Sequence, residues 1–260
     1  MCANMRKRLR LLLCLRNSFV GISIQEAKMS GVKEKRTQFT VLVEGNIGSG
    51  KTTFLNHFAN DDALILSEPV ERWRNLRGHN LLGLLYENPT RWAHAFQSYV
   101  QLTMLDFHMQ RSNHRLKLME RSIYSARYCF VENLKNNGNL ADAEYVVLDE
   151  WFKWLMSRVD LRCDLIVYLR TDPKVVHKRI VSRGRKEEAN ISLEYLEKLH
   201  QLHEKWLYER SAFSCPAPVK VLDANQDIKE IKENFQKCRS EIYNDIFINE
   251  RSSPVIQSTT

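Results

Sequence analysis

Residues 44 to 53 read EGNIGSGKTT, and the spacing of Gly45, Gly50, Lys51 and Thr52 is that of a loop that holds the phosphates of a nucleoside triphosphate. Its glycines let backbone N–H groups turn toward phosphate oxygens, and the helix expected after it presents its positive end. Lys51 can span the outer phosphates, and the Thr52 hydroxyl suits the Mg²⁺ that accompanies ATP as phosphate donor. The candidate phosphate residues are therefore Gly45, Asn46, Ile47, Gly48, Ser49, Gly50, Lys51, Thr52 and Thr53. A plain turn between a strand and a helix would explain the glycines but leave Lys51 and Thr52 unexplained.

A bound triphosphate does not say where its phosphate goes. The stretch SEPVERW, residues 67 to 73, holds Glu68 at the end of an apolar run, with Pro69 turning the chain away behind it. An acceptor hydroxyl attacking a γ-phosphorus needs a carboxylate to take or orient its proton, and cations around the group in flight. Glu68 can be the carboxylate. Lys51, Arg121 and the cluster RGRK at 183 to 186 can be the cations, and Glu120, at the end of LKLME, is the candidate acid near the metal.

These residues need a frame that brings them to one edge. Five short apolar runs stand out: TVLVE (40 to 44), ALILS (63 to 67), LKLME (116 to 120), DLIVYL (164 to 169) and VKVLDA (219 to 224). Segments of helical spacing separate them, such as Tyr99, Leu102, Met104, Leu105 and His108. Strands alternating with helices predict an α/β fold, a parallel sheet with helices on both faces, whose ligands sit at the carboxyl ends of the strands. YVVLDE (145 to 150) has the look of a strand ending in the Asp-Glu of a hydrolytic ATPase. However, Tyr145, Leu148, Trp151, Phe152 and Leu155 continue past the acids at helical spacing, which predicts a helix with Asp149 and Glu150 on its solvated side.

The formal charge of +8 is concentrated in one place. Residues 1 to 36 hold nine Lys or Arg against Glu26 and Glu34, leaving 30 basic and 29 acidic residues in the other 224. So balanced a body argues against a nucleic-acid clamp. The first 25 residues, basic, leucine-rich and without an acid, resemble a mitochondrial transit peptide. A solvated basic arm, or an upstream extension of a chain that also starts at Met29, are the alternatives, and they point to the cytosol or nucleus. No run approaches a membrane span. The six cysteines show no metal spacing and read as reduced thiols. The expected organisation is a basic arm over 1–36, a catalytic domain over 37–248 and a loose tail over 249–260.

Several motifs in one order carry a resemblance: VEGNIGSGKTTFLNHF, EPVERWRN, FQSYVQLTM, MERSIYSARYCFVENL, YLRTDP and LEYLEKLHQLHEKWL. From about Phe39 into the last helix the chain resembles the deoxyribonucleoside kinases. The resemblance implies a P-loop kinase fold, a five-stranded parallel sheet in the order 2-3-1-4-5 with an arginine-rich lid. It also implies transfer of the ATP γ-phosphate to the 5′-OH of a deoxynucleoside, in nucleotide salvage. Glu68 would be the base, Arg121 would lie near the 5′-oxygen, and Glu120 near the metal. Gln97 would pair with the base, Phe130 would stack on it with Phe96 nearby, and Ile47, Trp73, Leu82 and Leu85 would wall the pocket. Tyr86 and Glu188 would hold the 3′-OH, with Arg183 and Arg185 reaching the phosphates from the lid. Family members that prefer deoxycytidine and purines place Arg and Asp where this chain has Met104 and Ala126. With Val100 these leave an apolar recess suited first to thymidine and deoxycytidine, with purine deoxynucleosides as further candidates. A homodimer and inhibition by the pyrimidine deoxynucleoside triphosphate are further expectations. A nucleoside monophosphate kinase, which shares the loop and the lid, is the alternative reading.

Overall fold

The structure is a computed structural model that describes residues 38–226 and 228–251; the basic arm, the transit reading placed on it and the end of the tail lie outside the described residues. In chain order the elements are β1 (Phe39–Glu44), α1 (Lys51–Asn56), β2 (Ala63–Leu66), α2 (Val70–Arg74), α3 (Leu81–Glu87), α4 (Pro89–Met109) and β3 (Leu116–Glu120). A composite helix α5 follows, running from Ile123–Ser125 through a π-helical Ala126–Val131 to Glu132–Asn136. Then come α6 (Asp142–Arg158), β4 (Leu165–Arg170), α7 (Pro173–Arg183) and a 3₁₀ turn, Lys186–Glu188. The last elements are α8 (Leu193–His203), continued by a π-helical Glu204–Tyr208, then β5 (Val219–Asp223) and α9 (Ile228–Arg251).

The five strands form one parallel sheet in the order β2-β3-β1-β4-β5, the order that the resemblance implies. β1 lies at the centre, with Val43 paired to Glu120 on one side and Val167 on the other. Successive residues of a strand face opposite sides, so the sheet has two cores. Val41, Val43, Leu118 and Val167 pack with Phe54 and Phe58 near α1 and with Phe235 of α9. Leu42, Met119, Ile166 and Tyr168 pack with α4, α5, α6 and the α8 region, including the fully buried Trp206.

Caps fix where the helices begin. Asn88 accepts a hydrogen bond from the Arg91 N–H, and Pro89 opens α4. Asp172 does the same for α7 ahead of Pro173, and Gly184, left-handed at φ 66°, ends α7 where the lid begins.

Residues 145 to 150 are helical, within α6, as the spacing predicts. Glu150 is exposed, whereas Asp149 is half-buried, which corrects the expectation of two solvated acids. The cause is Arg127, buried on α5, whose guanidinium binds Asp149 at 2.5 Å together with Glu132 and Tyr145. A buried cation needs a counter-charge. α9 continues to Arg251, into the span read as a tail. Among the described residues no helix is long and apolar enough to cross a membrane.

Candidate active site

The loop between β1 and α1 is shaped by close approach. Gly45 has φ 144°, and a Cβ there would lie 2.7 Å from the Leu169 carbonyl oxygen; at Gly48, φ 77°, it would lie 3.1 Å from both the Val176 carbonyl oxygen and Ile180. Only glycine fits such a backbone. The Asn46 side chain braces the loop, donating to the Leu196 carbonyl at 2.8 Å and accepting from the Ile47 N–H. Lys51 is buried and donates to the carbonyls of Asn46 (2.8 Å) and Gly45 (3.3 Å). Burial, then the nearby Arg121 guanidinium, lower its pKa to about 8.

Arg121 stands at the end of β3 with a left-handed backbone, φ 65°, which costs a non-glycine residue strain. It is held on three sides: its N–H donates to the Val43 carbonyl at 3.0 Å, its guanidinium donates to the Gly45 carbonyl at 2.9 Å, and its Nε lies 2.7 Å from a Glu68 carboxylate oxygen. The guanidinium also lies over the ring of Phe130, 4.7 Å from its centre. Glu120, buried beside it, accepts from the Thr52 hydroxyl at 3.0 and 3.1 Å and from the Glu68 N–H at 3.4 Å. A hydroxyl and a carboxylate form an oxygen-only donor pair, which suits a hard cation that takes its remaining ligands from phosphate and water.

A cavity of about 280 Å³ opens from this cluster. Its wall contains every residue that the resemblance gives to the nucleoside, from Ile47 and Glu68 to Phe130 and Glu188. Lys51, Thr52, Glu120, Arg183 and Arg185 line it as well. Gly45, Asn46, Ser49, Gly50 and Thr53 stand outside the wall, shaping or extending the loop rather than facing the space. Trp73 is fixed by its indole N–H, which donates to Thr103 at 3.0 Å, and by an edge-on contact with Phe96. Gln97 is buried on α4, and among the described residues its Oε1 has no hydrogen-bond partner. Val100, Met104 and Ala126 are buried around it. The hydroxyl of Tyr86 has a pKa held well up, by burial first and then by Tyr195, Glu188 and Glu68 nearby.

Residues 41–249 match the sequence profile of a family described as deoxynucleoside kinase. The chain belongs to the deoxynucleoside kinase family. It is 50% identical over 211 residues to mitochondrial thymidine kinase 2 of Homo sapiens, covering 81% of this chain and 80% of that protein. It is 37% identical to deoxycytidine kinase 2 of Gallus gallus, over 75% of this chain and 86% of the relative, and 37% identical to the deoxycytidine kinase of Mus musculus, over 75% and 87%. The chain is thus an ATP-dependent kinase of nucleoside 5′-hydroxyls, and the monophosphate-kinase alternative is not favoured.

Sequence reasoning missed Arg74, Glu187 and Tyr195, which also line the cavity. Tyr195 sits in a helix whose periodicity reads as core, and only its placement next to Tyr86 reveals it. Glu44, also missed, lies one residue before the loop. It is fully buried, with Oε1 accepting from the Ser122 hydroxyl at 2.5 Å and Oε2 without a partner among the described residues. Burial raises its pKa to about 7, against the lowering effect of Ser122 and Arg121.

A carboxyl with a raised folded pKa binds its proton more tightly when folded. Its contribution to stability is therefore fully present below the unfolded value near 4.5 and is lost as pH rises to about 7. Glu44→Gln should flatten this decline: the stability difference between wild type and variant should shift by about 3 kcal/mol between pH 4.5 and 7, read from urea midpoints. A constant difference across that range would refute the raised value.

Proposed function

We propose that thymidine and deoxycytidine are the preferred acceptors and that Glu68 is the base that takes the proton of the 5′-hydroxyl. One cavity is lined by Lys51 and Thr52, by the Glu68–Arg121 ion pair and by Gln97 alike, and this observation carries the reading. An acceptor whose base lies against Gln97 would place its 5′-oxygen beside Glu68. The unpartnered Gln97 Oε1 suits the N3–H of thymine or the exocyclic amino group of cytosine, and its amide N–H₂ suits thymine O4 or cytosine N3. Met104, Val100 and Ala126 would face the thymine methyl group. Names of relatives, thymidine kinase and deoxycytidine kinase, support the same pair of substrates.

In the mechanism that follows, Glu68 orients and accepts the proton, while Arg121 holds that carboxylate and bears on the 5′-oxygen. Lys51 and the loop N–H groups hold the outer phosphates, and Arg183 and Arg185 approach from the lid. Thr52 and Glu120 would hold Mg²⁺, which supplies positive charge at the phosphates when bound. Tyr86 and Glu188 would fix the 3′-hydroxyl, closing the site against water.

Glu68→Gln keeps the shape and removes the base. Thymidine binding should survive, while kcat falls by about 10² to 10⁴. A coupled ADP-release assay with thymidine and with its monophosphate as acceptor measures this, and a variant with more than half of wild-type turnover would sink the role.

Because the donor and acceptor regions meet at the loop, a pyrimidine deoxynucleoside triphosphate could seat its base at Gln97 and its phosphates around Gly48, Gly50 and Lys51. End-product inhibition should then be competitive with thymidine and weakened in Gln97→Ala. Inhibition noncompetitive with thymidine and indifferent to Gln97 would place the inhibitor elsewhere.

A homodimer is supported by an apolar face on α6, where Val147, Trp151 and Trp154 recur at helical spacing and are each about half exposed. Trp151→Asp should convert the species seen by sedimentation from dimer to monomer. A monomeric wild type would refute the interface. Mitochondrial residence is supported by the basic arm and by the mitochondrial relative.

A further inference from the structure

The lid of this enzyme is tied to the acceptor wall by an ion pair that the assigned roles leave unused. Arg74, the last residue of α2, presents a fork to Glu187 in the 3₁₀ turn: Nε to Oε1 is 2.8 Å and Nη2 to Oε2 is 3.0 Å. Both side chains are largely withdrawn from water, 27% and 18% exposed, and both line the cavity. Surface pairs in the same region, such as Arg72 with Asp106, are single contacts with both partners about half exposed. The two-bond planar match fixes direction as well as distance.

What lies at each end gives the pair its consequence. The neighbour of Glu187 is Glu188, whose carboxylate binds Arg183 at 2.5 Å and Arg185 at 3.3 Å, so the turn draws the lid arginines together. The lid also rests on its own small core, Val176, Ile180, Ile191 and Leu196, with Ile47, Tyr86 and Tyr195 against it. On the other side, Arg74 follows Trp73, which forms the pocket wall, and α2 begins two residues after Glu68. α2 is a single short helix, so the Trp73 wall and the Arg74 lid contact cannot move independently.

We infer that Arg74 and Glu187 form a latch through which α2 holds the lid over the acceptor, making occupation of the wall at Trp73 and placement of Glu188 one event. They are positioning residues: neither transfers a proton, and each acts through its neighbour. The inference rests on the reading that Glu188 faces the acceptor sugar. A latch that fixes Glu188 strengthens the hold on the sugar and keeps water from the phosphate in transfer. Its loss should weaken acceptor binding and let water compete with the 5′-hydroxyl.

A double-mutant cycle on the full chain tests this. Arg74→Ala and Glu187→Ala should each raise the thymidine KM about 5- to 10-fold, in line with a charged hydrogen-bonded pair. The double variant should be no worse than the more impaired single variant, because both changes break the Arg74–Glu187 contact, Arg74→Ala losing its Glu71 pair as well. In all three, ADP release should exceed formation of thymidine monophosphate, while the two match in wild type; a merely structural pair would not move that ratio. Wild-type KM in both single variants, or effects that multiply in the double, would overturn the latch. Glu188→Ala separates the underlying reading: an unchanged KM there, with raised values in the latch variants, faults the sugar contact and not the latch. A raised KM in Glu188→Ala alone faults the latch.

Discussion

Burying charge at the carboxyl edge of the sheet is the constraint from which the rest of the site follows. Lys51 and Arg121 are withdrawn from water with Glu44, Glu68 and Glu120 around them. A buried ion that loses its partner is strongly destabilising, so the segments bearing these groups cannot separate cheaply. Arg121 is the hub: it reaches β1, the phosphate loop and Glu68 at once, from a backbone conformation that would relax if those contacts were absent.

Electrostatics shape the part of the cavity around Lys51 and Arg121, and packing shapes the part around Gln97. At the far end of the cavity a single amide, Gln97, is enclosed by apolar side chains and by an indole that spends its own N–H on Thr103. Such a wall discriminates chiefly by what it leaves unpaired. On the proposed reading, a base able to satisfy the stranded acceptor is admitted, whereas a buried charge near Met104 and Ala126 would meet no partner. The same helix, α4, begins at the Asn88 cap, and Leu102 and Met109 are exposed along it.

Much of this was legible in the chain. The loop glycines and Lys51 announce themselves by spacing, and the five strands are apolar runs that the structure reproduces to within about a residue at either end. Their order came from resemblance, because period and propensity say nothing about which strands are neighbours. The missed residues share a cause. Arg74 and Glu187 are 113 positions apart, and their pairing exists only once the lid folds over α2. Glu44 looks like an ordinary strand-end acid until β3 and α5 cover it with Ser122. Asp149 was misplaced because its partner Arg127 lies on a different helix. The π-helical turn that carries both Ala126 and Phe130 into the cavity wall has no signature in residue type, since it arises where a helix must widen to pack.

The central position of β1 has a bearing on how the protein is made. Its neighbours in the sheet are not the next strand in the chain: Val43 pairs with Glu120 and with Val167. Contacts so distant in sequence close large loops before they return any stabilisation, which slows folding and prolongs the exposure of strand edges. During synthesis the glycine loop leaves the ribosome early, yet the carbonyl of Leu169 that crowds Gly45 and the carboxylate of Glu120 that meets Thr52 arrive much later. A nascent chain interrupted before β4 therefore holds every residue of the loop but lacks the Leu169 carbonyl and the β1–β4 pairing that lie against it.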